Sequence, residues 1–579
     1  METLQETDLY WVRLSTYLWL LVPAVLGIAV GAGLAHRSFN DAPVSAAPAH
    51  LSPGLHPAAP LPPARRYRPA STRSGLSPLR SESQVMQSAV QSASMSAIER
   101  RKAAAVALQR QAAAAVGGPV VIFNTRRAFS EEVGGTDTTT TGTFDTSTTP
   151  AAPANTTPIV ISDVHTTSLT PFSSTIAFHT SEAVNTQVAY GIDAETLWTS
   201  WDTASQDHVA VVDGLSPNMT YRVWVNAHST DGRTASSPFF LTTPPTSGTV
   251  TGGTGAGAFQ LNGQAYFPFV VWGACPDSYD REFAAGIDLF LSGSCGDSAK
   301  QLGALAGHGY LVTDAMNGTT PGAVGSYLPD EWDTHLPNNL TSAQVQGMIP
   351  QGAGGPRFLT LTNHFYSNAA PLPQGRGMYP ALAANADVLG FDLYPLQNWC
   401  RYDEFDHVFN AQRELVQLAA GKPTFQWIEA RGNMDCHDPS LDPNAATVHA
   451  ETWLSIAGGA HAVGYFPYDF PADIGDQIAR DKHDIQGLVP ALLDSELQAS
   501  VVGQSTVKVG ARAHNGAVYV IAVNSSREAT TATINVASLG DRPLTSLDRT
   551  RFVTPQNGSF QDTFGPLDVH IYIAAPVAP

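Results

Sequence analysis

Acidic and aromatic side chains close short apolar runs through the second half of this sequence: Asp330-Glu331-Trp332-Asp333, Asn363-His364-Phe365-Tyr366, Asp392-Leu393-Tyr394, Trp427-Ile428-Glu429-Ala430-Arg431 and Tyr468-Asp469. Cleaving a glycosidic bond needs one carboxylic acid to protonate the leaving oxygen and a second carboxylate across the sugar. Glu331 and Glu429 supply such a pair. Pyranose rings stack on aromatic faces, and Trp272, Trp332, Tyr366, Trp399, Trp427 and Tyr468 lie at or just beyond the run ends. Asn363, His364 and Tyr394 add polar groups at the same ends. Asp392 and Asp469 either bind substrate hydroxyls or cap the helices that follow. Each residue also has a plainer reading, the glutamates as salt-bridge partners and the aromatics as core packing.

Eight runs carry these residues: FPFVVWGA from Phe267, IDLFLSGS from Ile287, GYLVTDA from Gly309, VGSYLPDE from Val324, RFLTLTNHF from Arg357, VLGFDLYPL from Val388, PTFQWIEA from Pro423 and AVGYFPYDF from Ala462. Helix-like segments such as EFDHVFNAQRELVQLAAG and ATVHAETWLSIAGGA separate them, which is the pattern of βα repeats and a parallel sheet. Eight such strands close a (β/α)₈ TIM barrel, expected over residues 259–495, with functional residues at the C-terminal strand ends. The Gly-rich piece between the third and fourth runs is a poor helix.

Glutamates closing strands four and seven resemble the arrangement of the retaining glycoside hydrolase clan built on (β/α)₈ barrels. The resemblance implies a glycoside hydrolase without a cofactor, acting on a polysaccharide or glycan by double displacement. It implies Glu331 as acid/base, Glu429 as nucleophile, and Tyr394 as a hydrogen-bond partner of the nucleophile, with the carboxyl groups about 5–5.5 Å apart. The clan usually carries Asn immediately before the acid/base glutamate. Asp330 stands there, a further carboxylate that raises its neighbour's pKa by like-charge repulsion.

Before the barrel, residues 158–245 read as short alternating strands of a β-sandwich. They resemble a fibronectin type III domain: Phe178 stands for the usual core Trp, and Leu215-Ser-Pro-Asn-Met-Thr-Tyr221 matches L-x-P-x-x-x-Y with Tyr221 as corner tyrosine. The Gly/Thr run 246–258 reads as a hinge to the barrel. Residues 496–579 read as strands again and resemble the small C-terminal β-sandwich that follows glycosidase barrels.

The N-terminal part is of another kind. Residues 1–37 hold an uncharged apolar stretch, 17–35, long enough to span a bilayer or to serve as a signal. Residues 38–157 are a Pro/Ala/Thr-rich linker with a possible helix at 83–116. Residues 36–127 carry a net charge of +9 and residues 128–579 one of −26. A folded part that acidic repels phosphate backbones, so nucleic acid is not the expected partner. The expected setting is the cell surface, anchored or secreted, with the folded domains outside and carbohydrate as partner.

Cys275, Cys295, Cys400 and Cys436 follow strands one, two, six and seven, and an even set in an exported chain reads as disulfides between neighbouring loops, 275 with 295 and 400 with 436. Their spacing matches no zinc site, and no G-x-S-x-G elbow, phosphate-binding glycine motif or HExxH helix occurs. Beside the hydrolase stand two other readings, an inactive barrel that binds surface glycan in adhesion and a purely architectural surface protein.

Overall fold

The computed structural model describes residues 156–293, 295–350, 354–503 and 505–579, all within one compact unit. The expected membrane segment, and the linker with its helix at 83–116, lie outside them. Among the described residues no helix is long and apolar enough to cross a membrane.

Six antiparallel strands come first: β1 (Ile161–Leu169), β2 (Ser174–Gly191), β3 (Leu197–Trp198), β4 (Ser205–Val212), β5 (Thr220–His228) and β6 (Thr234–Thr242). The long β2 serves two layers. Its first part pairs with β1 and β4, its register breaks between His179 and Val184, and the stretch from Asn185 pairs with β3 and β5. Alternate side chains along its first half are buried, as a strand half-covered by a core requires. Tyr221 is fully buried, and its hydroxyl oxygen accepts the Ser216 N–H at 2.8 Å. Phe178 is buried and stacks on His208 with centroids 4.9 Å apart.

The Gly/Thr run expected to be a hinge is partly strand. β7 (Gly252–Gly255), β8 (Ala258–Leu261) and β9 (Gln264–Tyr266) form an antiparallel sheet. Two-residue turns join them, with positive φ at Ala256 and Gly257 and at Asn262 and Gly263. Phe259, Leu261 and Tyr266 of this sheet close the N-terminal end of the barrel lumen.

The eight expected runs are the eight strands of a closed parallel barrel: β10 (Phe269–Trp272), β11 (Leu289–Leu291), β12 (Tyr310–Asp314), β13 (Gly325–Tyr327), β14 (Arg357–Thr362), β15 (Val388–Asp392), β16 (Thr424–Glu429) and β17 (Ala462–Phe466), with β10 pairing both β11 and β17. Side chains alternate. Val270, Leu289, Leu291, Val312, Phe358, Val388, Phe425, Trp427 and Ala462 fill the lumen, while Val271, Phe290, Leu311, Leu359, Phe391, Ile428 and Val463 face the outer helices. Two glycines make room for the lumen aromatics. A Cβ on Gly390 would lie 2.1 Å from the Phe425 ring, and one on Gly464 would lie 2.3 Å from the Trp427 ring. Between β12 and β13 the described chain forms a 3₁₀ turn, Ala315–Asn317, in place of an α-helix.

From Glu496 onward the chain forms a six-stranded and a three-stranded antiparallel sheet. Ala517–Asn524 is buried along its length: Tyr519, Ile521 and Val523 pack on the barrel side, while Val518, Val520 and Ala522 enter the core of the C-terminal sheets. The N-terminal sheets, barrel and C-terminal sheets also meet through hydrogen bonds. Thr196 donates its hydroxyl to the Gly487 carbonyl at 2.7 Å and accepts the Tyr519 hydroxyl on its own carbonyl at 2.7 Å. His483 pairs with Asp193 at 2.6 Å.

Candidate active site

Strand parity places one acid at the C-terminal mouth of the barrel. On β15, Val388 points into the lumen and Phe391 points out, so Asp392 faces inward. Tyr394 follows and donates its hydroxyl to Asp392 Oδ1 at 3.2 Å, while its ring stacks on Phe466 at 6.1 Å. From the loop after β13 come Asp330 and Glu331, and the Glu331 carboxyl lies beside that of Asp392. Tyr327, at the end of β13, lies edge-on to Trp272 at 4.8 Å.

Glu331 is aimed by an unusual backbone. Its φ of +46° is left-handed, which a side chain disfavours, and its carbonyl is held by the Thr334 N–H at 3.0 Å and hydroxyl at 2.8 Å. Behind it Asp333 is fully buried and accepts the Thr362 N–H at 3.2 Å and the Tyr379 hydroxyl at 2.9 Å, which pins the loop to β14 and its following helix. Glu331→Gly is expected to be more stable than Glu331→Ala by about 1–2 kcal/mol, since only glycine adopts this conformation freely. Urea unfolding of the two variants measures the difference.

Burial and neighbouring carboxylates raise the proton affinity of all three carboxyl groups. Asp330 and Glu331 keep surface open to water, although protein surrounds much of the space about them. Burial, then the charges of Glu331 and Asp333, push Asp330 up. Burial and then Asp333 raise Glu331, against the hydrogen bond from Asp392 and the nearby His335 and His364. Asp392 is driven well above the ordinary carboxylate range by burial and then by Asp330 and Glu331. The proton of the Glu331–Asp392 pair therefore resides on Asp392, with Glu331 as its acceptor.

Glu429 is not brought to this mouth. It is wholly buried, its Oε1 accepts the Leu396 N–H at 2.9 Å, its Oε2 accepts the Gln397 N–H at 2.7 Å, and its other neighbour is Glu451. Glu331 and Glu429, the pair expected from the strand-four and strand-seven positions, thus have different partners, and no hydrogen bond joins them. Tyr394 bonds Asp392 rather than Glu429.

Several aromatics expected at a cleft are packed elsewhere. Trp427 fills the lumen, with its indole N–H on Thr360 Oγ1 at 3.0 Å. Trp332 and Tyr366 are buried in the outer core, and Trp399 lies edge-on against His407. Tyr468 stays exposed. Asp469 pairs with Arg431 of the preceding loop instead of capping the next helix, whose N-cap is Pro471. His364 is half-buried with Nδ1 2.6 Å from the Ala370 carbonyl, and Asn363 is half-buried beside it. Tyr327 and Phe466 were not singled out by sequence; both end strands on the lumen side, so counting alternation from the strand centres would have found them.

Two disulfides staple the rim loops, Cys275–Cys295 and Cys400–Cys436. Among the described residues no group of three or more His, Cys, Asp or Glu side chains is arranged to hold a metal ion.

No family model matches the sequence, and no curated protein matches it. Solved structures that share the general layout include a putative alpha-galactosidase/melibiase from Bacteroides fragilis, at 11% identity and a TM-score of 0.36, covering 70% of this chain and 95% of that one. An Anoxybacillus alpha-amylase follows at 10% identity and 0.32, covering 52% of this chain and 90% of its own. A GH30 endoxylanase from Clostridium papyrosolvens stands at 13% and 0.30, covering 56% of this chain and 100% of its own. Likenesses this slight carry no argument about the chain. The barrel rests on its own strand pairing.

Proposed function

We propose that this protein hydrolyses glycosidic bonds of an extracellular glycan at the mouth of its barrel, with Asp392 giving the proton to the leaving oxygen and Glu331 acting as the carboxylate at the anomeric carbon. The observation that carries this reading is the convergence of Asp330, Glu331 and Asp392 on one mouth, with Asp392 held well above the ordinary carboxylate range by burial and its two acidic neighbours. An acid and a base separated by environment are what glycoside cleavage uses. Double displacement with retention needs the two carboxyl groups about 5–5.5 Å apart with the sugar between them, so substrate entry must part Glu331 and Asp392. Trp272, Tyr327, Tyr394 and Phe466 supply ring faces around them.

A second reading, glycan binding without turnover, is favoured by the engagement of Glu429 away from the mouth. In either case we propose an exported protein tethered through residues 17–35, with the fibronectin type III-like and C-terminal sandwiches flanking the barrel. The apolar stretch and the two disulfides support that setting. A panel of aryl glycosides and polysaccharides tests the choice: release of reducing ends supports the hydrolase, retention on immobilised glycan without release supports the binding protein, and neither outcome removes both.

A further inference from the structure

Two further buried carboxyl groups belong to Glu429, which ends β16, and Glu451, in the middle of the helix Ala445–Ala457. Neither oxygen of Glu451 has a hydrogen-bond partner of good geometry, and its polar neighbours are the carboxyl group and the backbone N–H of Glu429. Two ionised carboxylates in contact inside a protein repel each other without solvent to screen them, so the pair must keep a proton. Glu429 already has two backbone N–H groups on it, which favour its charged form. Glu451 is therefore the proton holder. The other titratable groups nearby are Tyr402, which feels the Glu451 charge, and Arg527, whose guanidinium lies 3.8 Å over the Tyr402 ring.

The amides held by Glu429 belong to the loop directly after Asp392 and Tyr394. Asn398 and Trp399 N–H groups return to the Tyr394 carbonyl at 2.9 and 3.1 Å. Gln397 ties this loop to the next: its Nε2 donates to the Leu441 carbonyl at 3.0 Å, its Oε1 accepts the Met434 N–H at 2.9 Å, and its carbonyl accepts the Cys436 N–H at 2.7 Å. The Cys400–Cys436 bond closes the same two loops.

We propose that Glu429 is a positioning residue of the barrel mouth: its buried carboxyl group, backed by Glu451, anchors the Leu396 and Gln397 amides and thereby holds Tyr394 against Asp392. The proposal does not depend on what the mouth binds.

Burial raises Glu429 to about 7, and burial followed by the Glu429 charge raises Glu451 further. Groups raised on folding hold their full stabilising effect below the unfolded carboxylate range and lose it as pH climbs through the folded values. The anchor is therefore firmest below the ordinary carboxylate range and weakens as pH climbs from there through about 7. Each unit of pKa difference is a factor of ten in the equilibrium.

Hydrogen exchange of the Leu396 and Gln397 amides in the full chain, corrected for the intrinsic pH dependence of exchange, reads the anchor directly. In the parent, protection should fall about tenfold or more between pH 5.5 and 8.5. Glu451→Gln supplies a permanent N–H donor to Glu429 and removes one of the two titrating groups, so protection should fall clearly less across the same range. Glu429→Gln, with an amide facing two N–H donors, should lose that protection at both pH values, and restoring the carboxylate with Asp should recover part of it. Level protection in the parent, or an unchanged fall in Glu451→Gln, would overturn the proposal. Because the readout is loop protection and not turnover, an inactive barrel leaves this inference standing, and a failed anchor leaves the glycan reading standing.

Discussion

Asp392→Asn is expected to cut turnover of whatever glycan the barrel hydrolyses by about 10²–10⁴-fold, the usual share of a positioned general acid, while changing KM little. Asparagine keeps the size of Asp392, and its amide can still donate to Glu331, so the mouth retains its shape. What it cannot do is release a proton to a departing oxygen. The variant should therefore bind glycan and fail to cleave it, and substrates with activated leaving groups should suffer least.

The pH behaviour offers a second readout on the same protein. Asp392 sits well above the ordinary range because of burial and its two acidic neighbours. Its raised folded pKa means that the wild type loses stability as pH rises from the unfolded carboxylate range through the folded value. Asparagine removes that dependence. Relative to the wild type, Asp392→Asn should thus gain in thermal stability on going from pH 5 to pH 8. Unchanged kcat in the variant would sink the assignment of Asp392, even if the stability trend followed.

The barrel was legible because each parallel strand is an apolar run covered on both faces, and eight of them alternate with helix-like stretches. The small sheet before it was obscured by Gly and Thr, although Asn262-Gly263 is a turn signal between apolar residues. The candidate site was half legible. Sequence names the acids at the strand ends, but it does not say whether the last residue of a strand continues into the lumen or turns beneath a neighbouring loop. For Glu429 the deciding partners were the Leu396 and Gln397 amides, more than thirty positions earlier, and Glu451 in a helix buried almost all round. Trp332, Tyr366 and Trp399 failed as cleft residues for a related reason: proximity to a strand end along the chain does not fix the side of the barrel wall on which a ring packs.

Trp427 turns that lesson into a measurement. If it were a sugar-stacking face, Trp427→Ala would weaken glycan binding and leave the fold nearly intact. Its ring instead fills the lumen beside Phe425, at 5.5 Å, in the space that Gly464 leaves open, and it donates to Thr360 Oγ1. Neither glycine beneath the lumen aromatics has a side chain that could move into the gap, and the barrel wall is held by its strand hydrogen bonds. The cavity should therefore persist after truncation, and Trp427→Ala is expected to cost about 3–5 kcal/mol in urea unfolding, the range for a large aromatic lost from a packed core. Trp427→Phe should cost less, because most of the ring volume stays and only the indole N–H is lost. At equal folded fraction, glycan affinity should be the same for both variants and the parent. A loss below about 1 kcal/mol in Trp427→Ala, or a selective loss of affinity in folded protein, would return Trp427 to the binding surface and reopen the depth of the mouth.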